Sequence, residues 1–412
     1  MNLESKQNRA RELALEILEE VFEEGAYSNI ALNKALKQSA LSSADKSLVT
    51  ELVYGTVARK ITLEWQLAHW VEDRDKLDAW LYILLELSLY QMLYLDKIPQ
   101  HAVINEAVEI AKGRKRGSEK YVNAILRKIE REGAADPATI NRKNKRYSVQ
   151  YSLPVWLVKV LIDEYGEERA EAIFASLFER NKASIRVTDL ARKEEVKAVL
   201  GADDSLLAPS ALVKKQGHFA GHEFFEKGLI TIQDESSQLV APTLQIEGHE
   251  RILDACSAPG GKAVHMASYL TTGQITALDL YDHKLDLIRQ NAERLGLADK
   301  ITTKKLDASK VFETFGPNAF DKILVDAPCS GIGLIRRKPD IKYNKENADF
   351  ENLQKIQLDI LDSVCQSLRK GGIITYSTCT IVSTENFEVV KKFLERHSNF
   401  EQVRLEHERE DI

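Results

Sequence analysis

The sequence predicts a multidomain protein in which an all-α bundle is followed by a small α+β module and a doubly wound, Rossmann-like α/β domain. Apolar residues recur at helical spacing through the first third of the chain. From about residue 235 onward, apolar runs of strand length alternate with helical stretches instead. Between these regions, residues 184–188 alternate like a strand, and a helical stretch around 192–200 follows. The 412 residues are enough for two or three domains.

The amino-terminal region reads as helices with almost no strand pattern. From residue 5 to about 132, apolar residues recur every three or four positions, which is the spacing of amphipathic helices. A basic connector at 141–146 leads to a further helical stretch near 154–180. We therefore expect three domains: residues 1–140 form the helical domain, 141–234 form linker helices and the small α+β module, and 235–412 form the α/β domain.

Five apolar runs of strand length lie in the carboxyl-terminal region. Strands that are joined by helices form parallel sheets, and the carboxyl ends of parallel strands meet at one edge. We therefore expect the residues that follow these strands to line a common cleft. The predicted strands are 251–255, 274–279, 301–304, 322–326 and 372–377.

Two cysteines follow predicted strands and are expected to meet in that cleft. Cys329 lies in Asp-Ala-Pro-Cys-Ser-Gly at 326–331, and Cys379 lies in Ser-Thr-Cys-Thr at 377–380. A thiol pair at one sheet edge is suited to nucleophilic chemistry. Cys365 differs, because it falls on an apolar helical stripe and is predicted to be a core residue.

Composition excludes several classes of protein. No run of about eighteen uncharged apolar residues is present, and the first residues lack the features of a signal peptide. We therefore expect a cytoplasmic protein without a membrane partner. The four cysteines form no CxxC pair, which argues against a metal site and a disulfide framework.

Local basic patches must supply any contact with a nucleic acid, because the net charge is −6. Residues 109–146 hold twelve Lys or Arg against five Asp or Glu. A second basic run, 336–338, follows the Asp-Ala-Pro-Cys turn. A run of charges is more often a solvated surface, but the resemblance of the helical bundle to an RNA-binding fold, described below, favours phosphate contacts.

The loop after the first of the five strands indicates a nucleoside cofactor. Adjacent glycines, Gly260 and Gly261, let a ligand approach the backbone, and the start of the next helix offers free N–H groups. Asp279 ends the second strand at a spacing typical of an acidic residue that binds two ribose hydroxyls. The loop is not GxGxxG and contains a proline, which favours S-adenosylmethionine over NAD. Asp307 is consistent with an adenine contact and equally with a helix N-cap.

These motifs resemble those of the RNA 5-methylcytosine methyltransferase family. Its Pro-Gly-Gly-Lys block stands at 259–262, and its two cysteine blocks follow in the right order. The helical third resembles the NusB fold, notably at 44–56 and 121–127, and the small module is predicted to be RRM-like. Within the family, this fusion marks a type that acts on small-subunit (16S) ribosomal RNA. The resemblance covers nearly the whole chain.

The resemblance implies methyl transfer from S-adenosylmethionine to C5 of a cytidine through a covalent bond between a cysteine and C6. It implies that Cys379 is the nucleophile and that Cys329 assists elimination, although spacing alone does not distinguish the thiols. DNA cytosine methyltransferases use the cysteine after the proline. Asp326 is expected to hydrogen-bond the cytosine base, with a turn-capping role as the alternative. Lys262 is expected to orient Asp326 or activate a thiol, unless it is simply solvated. The candidate cofactor-binding residues are Cys256, Ser257, Ala258, Pro259, Gly260, Gly261, Lys262, Asp279, Lys284, Asp307 and Asp326.

One departure from the family and two rival functions remain. A methyltransferase fold of this kind ends with a sixth and a seventh strand, but only residues 400–405 read as a candidate, so we expect the last strand to be missing.

A cytosine-5 methyltransferase acting on transfer RNA is one rival function, and only the helical domain argues against it. A non-catalytic RNA-binding factor is the other, and the intact thiols and cofactor loop argue against it. We expect a monomer without a metal.

Overall fold

The computed structural model describes residues 3–215, 217 and 219–405. The chain divides into two compact units, Met1–Glu179 with Ile332–Asn347 and Arg180–Gly331 with Ala348–Ile412. Within the described residues, no helix is both long and apolar enough to cross a membrane.

The first unit is helical, as the sequence predicts. Its helices are α1 (Leu3–Phe22), α2 (Ser28–Gln38), α3 (Ser43–Leu67), α4 (Ala79–Tyr94), α5 (Gln100–Arg114), α6 (Ser118–Glu132), α7 (Lys143–Tyr151), α8 (Val155–Tyr165) and α9 (Glu167–Ser176). Helix α4 lies at the centre, because every residue from Leu81 to Met92 is buried. Helix α3 begins after Ser42, whose hydroxyl accepts a hydrogen bond from the backbone N–H of Asp45.

The segment Ile332–Asn347 belongs to the helical unit although it follows the Cys329 loop in the sequence. The Lys342 ammonium donates to the backbone carbonyl of Ala58 at 2.7 Å, and the Tyr343 hydroxyl donates to that of Val57 at 2.7 Å. Both carbonyls lie on α3. Burial lowers the pKa of Lys342 to about 7. The compact units differ from the predicted domains because this segment and residues 141–179 join the helical unit, while the α+β module joins the α/β domain. The domain assignment itself stays a prediction.

The second unit begins with the predicted α+β module, an antiparallel sheet in the strand order β2-β3-β1-β4. The sequence correctly predicts its first strand and the helix that follows it. Its elements are β1 (Ala183–Val187), α10 (Lys193–Leu200), β2 (Asp203–Asp204), β3 (Ala211–Lys214), α11 (Glu223–Glu226) and β4 (Ile230–Ile232).

The rest of the second unit is a parallel sheet in the order β7-β6-β5-β8-β9, with helices between its strands. All five predicted strands are present, which confirms the Rossmann-like fold. The elements are α12 (Glu235–Gln238), β5 (Arg251–Asp254), α13 (Gly261–Ala267), β6 (Gln274–Asp279), α14 (Asp282–Arg294), β7 (Ile301–Lys305), α15 (Val311–Phe315), β8 (Phe320–Asp326), α16 (Asn347–Val364), β9 (Leu368–Ser377) and α17 (Phe387–Arg396).

The candidate sixth strand at 400–405 is wrong, because these residues form no strand. The ring of Phe400 packs at right angles to two side chains of α17 or just after it, with centroids 5.3 Å from Phe393 and 6.3 Å from His397. Aromatic packing against the helix therefore holds the start of this segment, and residues 400–405 pair with no strand of the described sheet.

Two glycines of the helical unit should respond oppositely to alanine. A Cβ at Gly55 of α3 would lie 1.9 Å from Cζ of the buried Tyr90 ring. Tyr90 also donates to Glu51 at 2.7 Å, so Gly55→Ala should cost about 1–3 kcal/mol through overpacking.

Gly113 of α5 is the matched control, since a Cβ there meets nothing within 4 Å. Gly113→Ala should stabilise the protein by up to about 1 kcal/mol. We therefore expect thermal melting to give a lower Tm for Gly55→Ala and an equal or higher Tm for Gly113→Ala. Equal shifts would contradict this packing.

Candidate active site

The parallel pairing of β8 with β9 brings the two cysteine loops together. Asp326 and Ser377 are register partners at the carboxyl ends of these strands. The loops that follow place Sγ of Cys329 3.2 Å from Sγ of Cys379, and the backbone N–H of Cys379 donates to Cys329 Sγ at 3.3 Å. The structure thus brings the predicted thiol pair into contact.

The two thiols differ in environment. Cys379 is exposed, whereas Cys329 is partly buried. The hydrogen bond with the Cys379 thiol, together with burial, raises the pKa of Cys329. Both causes favour the protonated form of Cys329, and Cys379 presents the more accessible sulfur.

Asp326 and Lys262 form an ion pair beside the thiols. Lys262 Nζ lies 2.6 Å from Asp326 Oδ2, and the Ser377 hydroxyl donates to Asp326 Oδ1 at 2.8 Å. The lysine side chain is only 17% exposed, so a freely solvated lysine is ruled out. Both oxygens of Asp326 are held in place, and the carboxylate cannot rotate without breaking one of these contacts.

The predicted cofactor loop joins β5 to α13. Gly260 has a φ of +96°, and a Cβ there would lie 3.1 Å from Cα of Ile288, whereas a Cβ at Gly261 would meet nothing within 4 Å. The loop packs closely on one side and is open on the other, which suits a ligand that approaches the backbone. Ser257 is buried, and Pro259 is exposed, with its carbonyl accepting from Asn291 at 2.9 Å.

Two further candidates lie at the ends of β6 and β7. Asp279 Oδ1 accepts from the backbone N–H of Tyr281 at 3.1 Å and lies 3.9 Å from Lys284 Nζ. Asp307 Oδ1 accepts from the backbone N–H of Ser309 at 2.9 Å and from its hydroxyl at 2.8 Å. Asp307 is therefore an N-cap, as one interpretation held, and its adenine contact stays a prediction.

Several carboxylates lie near one residue, Cys256, whose pKa responds to their charges. Burial raises the pKa of Cys256, and nearby negative charges raise it further. Those charges belong to Asp254, Asp326, Asp279 and Asp307. Three of the four were predicted site residues from separate strands, so the structure gathers them around the loop that begins at Cys256.

Comparisons with known proteins agree with this geometry. The chain matches the model of the 16S rRNA methyltransferase RsmB/F family over residues 241–412 and that of the NusB family over residues 8–131. The probable ribosomal RNA small subunit methyltransferase B of Bacillus subtilis is 44% identical over 404 residues, which cover 96% of this chain and 90% of the relative. The chain belongs to the RsmB/F family.

Other RsmB/F relatives and one solved structure extend the match. The probable ribosomal RNA small subunit methyltransferase B of Synechocystis is 31% identical and covers 95% of this chain and 90% of the relative. The crystal structure of PH0851 has a TM-score of 0.80 at 25% identity and covers 96% of this chain and 90% of that one. RsmB/F proteins are S-adenosylmethionine-dependent methyltransferases, so the cofactor prediction is confirmed.

The RsmB/F site contains a carboxyl group that the sequence interpretation missed. Asp254 ends β5 and is fully buried. Neither of its oxygens has a well-aligned hydrogen-bond partner among the described residues. The Ser257 hydroxyl and the Cys256 backbone N–H lie close enough to lower its pKa, but burial outweighs them and raises the pKa to about 7. An unsatisfied acceptor beside the cofactor loop fits the ammonium group of S-adenosylmethionine. The position of Asp254 at the end of an apolar strand is the sequence feature that could have identified it.

The buried Asp254 should make the stability of the protein depend on pH. Its pKa of about 7 in the folded state lies above the unfolded value near 4. Between these values the native state holds a proton that the unfolded state has lost. Asp254 therefore destabilises the fold as pH rises from about 4 to about 7, by up to about 1.4 kcal/mol per pH unit.

Asp254→Asn removes this titration. Urea unfolding of the cofactor-free protein should find the variant more stable than the parent at pH 8, with the difference shrinking toward pH 4. Asp299→Asn, at an exposed position of the same unit, serves as the surface control. A difference between Asp254→Asn and the parent that stays constant with pH would contradict the assignment.

Proposed function

We propose that this protein methylates C5 of a cytidine in small-subunit (16S) ribosomal RNA through a covalent bond between Cys379 and C6 of the base. The observation that carries the proposal is the contact between Cys329 and Cys379 beside the cofactor loop. The names of the relatives, which call them ribosomal RNA small subunit methyltransferases, support the substrate.

The residues around the loop fit S-adenosylmethionine. The open side of Gly261 admits the ligand, and Asp254 supplies an unpaired acceptor. We propose that residues 256–262 contact the methionine part, that Asp279 with Lys284 contacts the ribose and that Asp307 contacts the adenine. When bound, the cofactor supplies an activated methyl group on a sulfonium.

The two thiols divide the chemistry on the cytosine. Cytosine C5 is a poor nucleophile until a sulfur adds to C6, and the exposed Cys379 supplies that sulfur. Asp326, held by Lys262, accepts a hydrogen bond from the exocyclic amine and shares a proton with N3, which steadies the base during the addition. After methyl transfer, a base from the solvent takes the C5 proton, the electrons of the C5–H bond form the C5–C6 double bond, and Cys379 leaves as a thiolate. Cys329 assists this step, because its raised pKa keeps a proton in contact with the leaving sulfur.

RNA binding is assigned to exposed cations of the helical domain. Several basic residues of the 109–146 patch already form ion pairs, including Arg114 with Glu19 and Lys115 with Asp78. Among the described residues of this patch, five exposed cations have no carboxylate within ion-pair distance, and we propose that they contact phosphates. These are Arg116, Lys120, Lys128, Arg142 and Lys145.

The setting of the reaction follows from this substrate. Ribosomal RNA is cytoplasmic in bacteria, so we propose that the protein acts there, as a monomer and without a metal. Arg336, Arg337 and Lys338 are exposed and follow the Cys329 loop in the sequence, and we propose that they hold the backbone near the target. The target base must be unpaired or extruded to reach Cys379. Relatives aligned along the helical region as well as the catalytic one favour ribosomal over transfer RNA.

The two cysteines should fail differently when replaced. Cys379→Ala removes the attacking sulfur, so neither methyl transfer nor a covalent protein–RNA adduct should form. Cys329→Ala leaves attack possible but slows release, so a methylated adduct should accumulate as a shifted band on a denaturing gel. Cys365→Ala, at a core position, is the control for thiol loss. An adduct in Cys379→Ala and none in Cys329→Ala would reverse the roles.

The unpaired cations should govern the salt dependence of RNA binding. Replacing Arg116, Lys120 and Lys128 by alanine should lower the slope of log affinity against log salt by about 2 for single-stranded RNA. Replacing Lys112, Arg114 and Lys115, which are ion-paired, is the matched control and should change the slope less. Fluorescence anisotropy over a salt series measures both. Equal slopes for the two triple variants would move the RNA footprint elsewhere.

A further inference from the structure

Two adjacent residues outside every predicted site tie the cysteine loops to each other. We propose that Glu385 and Asn386 are positioning residues: Glu385 holds the Cys329 loop, Asn386 holds the Cys379 loop, and their common backbone fixes the separation of the two thiols. They lie just after Cys379 in the sequence, at the start of α17. The catalytic meaning of this clamp rests on the proposed function.

Glu385 grips the residue next to Cys329. Its Oε1 accepts from the backbone N–H of Ser330 at 2.7 Å, and its Oε2 accepts from the Ser330 hydroxyl at 2.5 Å. Gln357 of α16 donates to Glu385 Oε1 at 3.3 Å and to the Pro328 carbonyl at 2.9 Å. The residues on both sides of Cys329 are therefore held by one small network.

Asn386 grips the residues on both sides of Cys379. Its Oδ1 accepts from the Thr378 hydroxyl, and its Nδ2 donates to the Thr380 carbonyl at 3.0 Å. The Ser330 hydroxyl also lies 3.0 Å from Thr380 Oγ1, which closes the link between the two loops. No step of this link depends on either thiol.

Burial gives the clamp its stiffness. Glu385 is 0% exposed and Ser330 is 3% exposed, so water cannot replace a lost contact there. A buried carboxylate is costly unless several donors satisfy it, and here the donors come from the Cys329 loop and α16. The Tyr376 hydroxyl fixes the other side by donating to the Glu385 carbonyl at 2.7 Å. If Glu385 served only in packing, its hydrogen-bond donors would not need to come from residues beside Cys329.

The clamp should act on the rate of chemistry rather than on binding. If Cys329 assists expulsion of Cys379, the two sulfurs must stay in contact throughout the reaction. A misplacement of about 1 Å in a reacting group can cost ~10²-fold in rate. In the part of the chain that the structure describes, neither Glu385 nor Asn386 is hydrogen-bonded to the loop 256–262, so cofactor affinity should be unaffected.

Three variants of the full chain test this, with a fourth as control. Ser330→Ala removes the hydroxyl that links Glu385 to Thr380 but keeps the backbone N–H bond, so it should fold. Glu385→Gln keeps the shape of the side chain and one acceptor oxygen. Glu385→Ala removes both of the acceptor oxygens that bind Ser330. Glu395→Gln, at an exposed position on α17, makes the same charge change away from the site.

Kinetics and thiol reactivity are then measured separately. We expect kcat to fall about 10-fold in Ser330→Ala and Glu385→Gln and ~10²-fold in Glu385→Ala, with the KM for RNA within about twofold of the parent. Phenylarsine oxide condenses with two neighbouring thiols, forming two As–S bonds and releasing water. Its affinity should fall about 10-fold or more in the three variants, because the effective concentration of the second thiol drops. The arsenical affinity of Cys379→Ala gives the value expected when only one thiol of the pair remains.

The outcomes separate the clamp from the proposed function. Arsenical affinity and kcat that both match the Glu395→Gln control would overturn the clamp. A loss of arsenical affinity in a protein that methylates no RNA would sustain the clamp and sink the proposed function. A rise in KM with unchanged kcat would make Glu385 a binding residue and would also overturn the proposal. If Glu385→Ala fails to fold, the results for Ser330→Ala and Glu385→Gln decide between these outcomes.

Discussion

The in-register parallel pairing of β8 with β9 is the constraint on which the candidate site depends. Asp326 and Ser377 face each other as register partners, so the loops that follow start at the same height on the sheet. The contact between Cys329 and Cys379 is a consequence of that register. A slip of one residue would turn the side chains of one strand to the opposite face and separate the ion-paired Asp326 from Ser377. Buried apolar side chains along β8 oppose such a slip.

The chain between the two strands makes an excursion that links the units. After Gly331 it enters the helical unit as Ile332–Asn347 and then returns to the second unit as α16. Inside the helical unit, Asp340 accepts from the Ser28 hydroxyl, and Lys342 is fully buried. The segment that directly follows the reactive Cys329 loop is thus held by the domain to which we assign RNA binding.

The sequence predicted what depends on local pattern. Strand-length apolar runs gave β5 to β9, and the motifs around Cys329, Cys379 and Gly260 lay on the expected loops, because parallel topology sends all strand ends to one edge. It missed what depends on long-range contacts. The burial of Glu385 requires Ser330, which is 55 positions away in the chain, and the orphaned Asp254 looks like any strand residue until the core is built. The alternation at 400–405 predicted a strand, but a strand exists only when a neighbouring edge pairs with it.

The central claim is that Cys379 supplies the attacking sulfur while Cys329 stays protonated beside it. RNA that carries 5-fluorocytidine at the target tests it most directly, since fluorine at C5 cannot leave as a proton does and the covalent adduct is trapped after methyl transfer. Digestion of the trapped complex and mass spectrometry of the peptides then locate the modified cysteine. The account predicts a methylated nucleotide attached to the peptide that contains Cys379. A nucleotide attached to the peptide that contains Cys329 would contradict it.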